Sequence, residues 1–225
     1  MPPKTSQAVK LPKNWPPEIR YLTSSTYTTL NVDQIASLRL YNKDFVSFSA
    51  PEGPCSLVRI TPITSLPHPA LGQSGLFAAS NLAPGTFILQ YLGEVHVSRD
   101  NSSSTTLDPH ARSDYDLSLD RELGLGIDAE RAGNEARFIN DYRGIAERPN
   151  AEFKEIWDER TKLRGMAVWV LPEGKSGRAN TVDHKFSLQI SYQELCPPIA
   201  EAPILFPVSR AVNDKIDSTN TAVIL

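Results

Sequence analysis

Between Thr86 and Val97 the side chains largely alternate in character. Phe87, Leu89, Tyr91, Val95 and Val97 fall on one side, and Gln90, Glu94 and His96 on the other. A period of two is the mark of a half-buried strand, and it puts His96 on the polar, exposed side. Gly93 interrupts the pattern and predicts a bulge or a close approach of another backbone.

Other segments repeat the theme. Ser113–Asp120 places Tyr115, Leu117 and Leu119 on one face, and Gly124–Asp128 adds a short extended piece. Val58-Arg59-Ile60 reads as a short strand, and Arg164–Leu171 as a buried one closed by Pro172-Glu173-Gly174. Asn150–Lys162 is open to two readings: a helix with Phe153, Ile156 and Trp157 on one face, or a strand turning near Asp158–Thr161. Asn31–Tyr41 reads as a short helix capped by Asn31, with Val32, Ile35, Leu38 and Leu40 at roughly helical spacing. The 18 prolines among 225 residues cluster near both ends and between residues 51 and 69, which predicts irregular chain there. Residues 1–20, with five prolines between lysines, read as a flexible arm. The expected class is a mostly β single domain with irregular tails.

Net charge is only −3, which leaves no electrostatic footprint for nucleic acid. No apolar run approaches the roughly 18 residues of a membrane span, and no signal-peptide core opens the chain, so a soluble intracellular protein is expected. Cys55 and Cys196 stand far apart without a Cys-x-x-Cys pair or a Cys/His cluster. No metal is expected on that count.

Two stretches could carry chemistry. In Leu71–Pro84, Gly72 and Gly75 bracket Gln73-Ser74, which fits either a plain turn into a strand or a place where a ligand meets bare backbone. The Gly-x-Gly-x-x-Gly and Gly-Lys-Ser/Thr phosphate loops are absent. In Gly133–Asn150, polar groups interrupt Phe138 and Ile139 too often for a core helix, and Pro149 ends the stretch. It is either a capped turn over the core or a loop holding polar groups at a site.

Taken in order, GQSGLFAASNLAPGTFI, QYLGEV, SDYDLSLD and ARFIN with Pro149-Asn150-Ala151-Glu152-Phe153 resemble four blocks of the SET-domain protein lysine methyltransferases. The resemblance implies a SET fold of several short sheets over residues 55–192. An arm and short helix precede it at 1–54, and an irregular tail follows at 193–225. It also implies an antiparallel hairpin over Asn150–Leu171. The cofactor it implies is S-adenosyl-L-methionine. Main-chain groups of Ser74, Gly75, Leu76 and Phe77 would form one wall, and Arg137, Phe138, Asn140 and Asp141 the other. Tyr115 would line a lysine channel and Tyr192 would stand at the transferring methyl. The implied partner is a lysine-containing protein such as a histone, which suggests the nucleus, with no direct nucleic-acid or membrane contact. Asp114, Asp116, Asp120, Asp128 and Glu130 would attract a basic substrate tail or form a solvated acidic surface. Where family members continue from Asn140 with His-Ser-Cys, this chain has Asp141-Tyr142-Arg143, and its ending departs from the family pattern. A SET-like module that binds without turnover, or a C-terminally altered fragment, therefore stands beside the enzyme reading.

Overall fold

A computed structural model describes residues 10–49, 51–98, 108–110, 112–171 and 187–190. Among them, strands dominate. In chain order they are β1 (Arg20–Tyr21), β2 (Val46–Phe48), β3 (Val58–Pro62), β4 (Ser74–Ala78), β5 (Phe87–Tyr91), β6 (Glu94–Val97) and β7 (Asp116–Asp120). They continue with β8 (Leu125–Asp128), β9 (Ala132–Gly133), β10 (Asn140–Asp141), β11 (Ala151–Asp158), β12 (Leu163–Val170) and β13 (Gln189–Ile190). A helix, α1 (Val32–Leu38), follows β1, and a 3-10 turn over Glu135–Phe138 sits between β9 and β10. The strands form a four-stranded sheet β2-β11-β12-β5, a three-stranded sheet β6-β8-β7 and the pairs β3-β4, β1-β9 and β10-β13. The expected mostly β architecture of short sheets is what forms.

The ambiguous region after Asn150 is an antiparallel hairpin, with Ala151 opposite Val170 and Asp158 opposite Leu163. Lys162 takes a left-handed φ of 54° in its turn. Helix α1 begins as its sequence predicts: Asn31 and Gln34 exchange side-chain and backbone hydrogen bonds in a capping box. Its apolar spacing is a weaker guide, since Leu38 is fully buried while Val32 is 81% exposed. At Gly93 a Cβ would stand 2.4 Å from the Asp128 carbonyl oxygen, so the close approach expected there is real.

Two expectations need correction. His96 is 2% exposed and Gln90 8%, so the polar side of the Thr86–Val97 alternation is covered rather than solvated. A second layer lies over it: His96 Nε2 meets Asp116 Oδ1 at 2.9 Å, and the Gln90 amide nitrogen lies 2.7 Å from where a Cβ on Gly165 would be. The N-terminal arm also docks from residue 12 onward. Trp15 packs edge-on against Tyr21 and Phe138, its Nε1 donates to the Ile19 carbonyl at 2.7 Å, and Asn14 donates to the Ile60 carbonyl at 2.8 Å. One buried indole brings enough apolar area to anchor a segment whose remaining composition favours solvent.

Arg164 ties the sheets together. From β12 it reaches Asp120 on β7 at 2.7 Å and Glu155 on β11 at 3.0 Å. Burial alone would raise the Asp120 pKa, but the Leu123 amide and the Arg164 guanidinium outweigh it and hold the carboxyl below its ordinary value. A depressed carboxylate stabilises the fold above its unfolded pKa of about 4, and that contribution is lost as pH falls through the folded value. Arg164→Met should therefore cost about 2 kcal/mol at neutral pH. In urea unfolding the gap to the parent protein should narrow at about pH 3, below the unfolded value. An equal gap at both pH values would mean that the ion pair is not its source.

Candidate functional site

The site is built around the chain from Ala129 to Asn150. Its entry is pinned first. Asn134 is 6% exposed, donates to the Gln90 carbonyl at 2.8 Å and accepts from the Leu92 amide at 3.2 Å. Its side chain thus supplies hydrogen bonds that β5 would otherwise lack where it ends. Glu135, also buried, accepts from the Cys55 amide at 2.8 Å and from the Tyr21 hydroxyl at 3.1 Å. Burial first, then the Glu135 charge, push the Tyr21 phenol well above its ordinary pKa. These polar residues are structural pins, and the stretch is in that respect a capped turn over the core.

Arg137 is buried within the 3-10 turn. Its Nε donates to the Ala129 carbonyl at 3.0 Å and an Nη to the Glu130 carbonyl at 3.4 Å. Its guanidinium carbon lies 4.1 Å from the centre of the Tyr115 ring, a cation–π distance. Arg137 therefore braces Tyr115. Tyr115 is fixed through its main chain as well: its carbonyl accepts from the Tyr91 hydroxyl at 2.7 Å and the Ala129 amide at 3.1 Å, and its amide donates to Ser113 Oγ at 3.1 Å. Phe138 is 9% exposed and packs into the core with Ile139.

Beyond Phe138 the chain turns outward, and two sequence-predicted elements meet. A Cβ on Gly75 of β4 would lie 2.9 Å from Nδ2 of Asn140 on β10 and 3.1 Å from Phe77 Cε2. Asn140 Nδ2 is buried and has no hydrogen-bond partner among the described residues. Ser74 and Phe77 are half-buried, whereas Leu76 is fully buried and can offer only main-chain groups. Asp141 directs its carboxylate at Arg143 in a two-point pair, with Nε to Oδ1 at 2.8 Å and Nη to Oδ2 at 2.7 Å. That pair, with the Asp141 hydrogen bond first among its causes, raises the Arg143 pKa.

β13 runs between these walls. Gln189 and Ile190 pair in parallel with Asn140 and Asp141, while the Leu188 amide donates to the Leu76 carbonyl at 2.7 Å. Asn150 locks the passage by donating to the Ser187 carbonyl at 2.9 Å and accepting from the Gln189 amide at 2.8 Å. Asn150 belongs to the Pro149-Asn150-Ala151-Glu152-Phe153 block, and its place straight after Pro149 is the sequence signal for this locking role. Tyr192 and the tail 193–225 lie outside the described residues. A small cavity of about 30 Å³, lined by Tyr21, Cys55, Gln90, Asn134 and Glu135 among others, holds none of the expected site residues and has room for a water only.

The acidic residues expected near the substrate are largely engaged within the fold. Asp116 is on His96, Asp120 on Arg164, and Asp128 bonds His110, Ser113 and the Glu130 amide.

The family model of the SET domain matches residues 73–173. Solved structures similar to this one come from Polycomb Repressive Complex 2 of Chaetomium thermophilum. An apo form with two substitutions in Ezh2 is 22% identical with a TM-score of 0.47, covering 64% of this chain and 16% of that one. An autoinhibited form bound to S-adenosylmethionine is 21% identical with a TM-score of 0.46, covering 65% and 16%. The chain thus spans about a sixth of the length of the chains it matches. No described helix is long and apolar enough to cross a membrane.

Proposed function

We propose that this chain is an S-adenosylmethionine-dependent protein-lysine N-methyltransferase acting on a histone or another lysine-bearing protein, with nuclear residence following from a histone substrate. The observation that carries the reading is the buried, unpartnered Asn140 Nδ2 facing side-chain-free Gly75 inside the span that the SET-domain model matches. A buried donor without an acceptor is costly, and an acceptor on a ligand's amino-acid end would satisfy it. Main-chain groups of Ser74, Gly75, Leu76 and Phe77 would form the facing wall. Phe138 and Arg137 support the other wall from within the core, and Asp141 contributes through its main chain because its carboxylate is committed to Arg143.

The cofactor, when bound, supplies an electrophilic methyl group. The chain must then deliver a neutral amine, since a free lysine has a pKa of about 10.4. Desolvation beside the fixed Tyr115 ring favours loss of that proton to solvent before attack. Holding the nitrogen in line does much of the rest. Tyr192, two residues past β13, is the hydroxyl proposed to orient it. Calorimetric titration with S-adenosylmethionine, followed by transfer of radiolabelled methyl to histones and cell extract, tests the reading. Saturable binding and label on lysine are expected. Binding without transfer would instead favour the non-catalytic module, and a folded protein that binds nothing would overturn both.

A further inference from the structure

We propose that His96, Asp108 and His110 form a binding site for one divalent transition-metal ion of the zinc class, separate from the Gly75–Asn140 site. Each residue offers a ligand atom, and these atoms lie within 4.8 Å of one another. His96 comes from β6, and Asp108 with His110 from the turn that leads toward β7. Two imidazoles and one carboxylate, with a position left for water, are a ligand set that zinc accepts.

The surroundings prepare the rings for that role. His96 Nε2 is held by Asp116 Oδ1 at 2.9 Å, and its Nδ1 is buried with no hydrogen-bond partner among the described residues. His110 Nδ1 is held by Asp128 Oδ2 at 2.6 Å, which leaves Nε2 for a ligand. A carboxylate on the far nitrogen of each histidine fixes the tautomer and makes the near nitrogen a better donor, as outer carboxylates do around metal-bound imidazoles. Gly126 is part of the construction, because a Cβ there would lie 2.7 Å from both His96 Nε2 and Asp116 Oδ1.

The two rings stack with centroids 3.7 Å apart and planes 16° from parallel. Such planes must open toward each other to share an ion, and His110, 14% exposed against 2% for His96, is the ring that tilts. The bound ion would fasten the turn to β6. Through Asp128 and Ser113 it would also steady the main chain of Tyr115. The expectation of no metal rested on cysteine count, and two histidines fourteen residues apart make no compact motif.

Untagged full-length protein, stripped with chelator and checked for its fold by circular dichroism, should bind one equivalent of zinc in calorimetry and unfold at higher temperature with zinc present. Asp108→Asn and His110→Ala, both at the turn, should each weaken zinc binding by at least about tenfold, and Asp116→Asn by about 10- to 100-fold. Cobalt in place of zinc should show visible ligand-field bands that His110→Ala removes. Folded parent protein that takes up no zinc, or His110→Ala that binds it as tightly as the parent, would overturn the proposal.

Discussion

Gly75→Ala should leave the protein folded and weaken S-adenosylmethionine binding by about 10- to 100-fold, the loss of one hydrogen bond to a charged group. The new methyl would sit 2.9 Å from Asn140 Nδ2, closer than the two can remain. That nitrogen ends a side chain rather than belonging to the backbone, so the amide turns aside and the strands hold. Asn140→Ala should produce a similar loss by removing the donor directly. Combining the two changes should cost little more than either alone, because both act on one contact. Calorimetry on the folded variants decides it. Affinities within twofold of the parent protein in both would remove the Gly75–Asn140 junction from the cofactor site.

Asn134→Leu should lower stability by about 3 kcal/mol. The leucine keeps the same number and branching of side-chain heavy atoms, but it strands the Gln90 carbonyl and the Leu92 amide, both served by Asn134 and both buried. Each orphaned backbone group costs about 1–3 kcal/mol. The urea midpoint should fall with the slope unchanged, since the same surface is exposed on unfolding. A midpoint within error of the parent protein would show that those groups find other partners. Among the described residues Asn134 hydrogen-bonds Gln90 and Leu92 and not Gly75 or Asn140, so a loss here reads the fold and the Gly75 result reads the site.

Much of the architecture could be read from side-chain order. The alternations over Thr86–Val97 and Ser113–Asp120 mark β5, β6 and β7, although the second begins at Asp116 and leaves Tyr115 just before it. Asn31 and Gln34 mark the helix start. Gly93 and Gly75 each stand where a distant segment of the chain comes within 3 Å of a would-be Cβ. The hairpin after Asn150 was undecided on periodicity, because Phe153, Ile156 and Trp157 satisfy helical spacing. Pairing with β2 on one side and β12 on the other decided for strand.

The roles within Gly133–Asn150 were less legible. Its polar residues looked equally like a cap or a site, and the structure divides them. Asn134, Glu135 and Arg137 satisfy backbone and ring partners inside the fold, while Asn140 presents a buried donor at Gly75.

By itself, then, the sequence marked several of the strands, some of the turns, and two places where a glycine admits a close neighbour. Those are local properties of period, rotamer and φ. Only the tertiary structure decided that Trp15 is an anchor, that His96 is buried beside Asp116, and that His110 stacks on it. A polar side chain's fate depends on whether a partner reaches it from another sheet, and no local pattern along one strand carries that information.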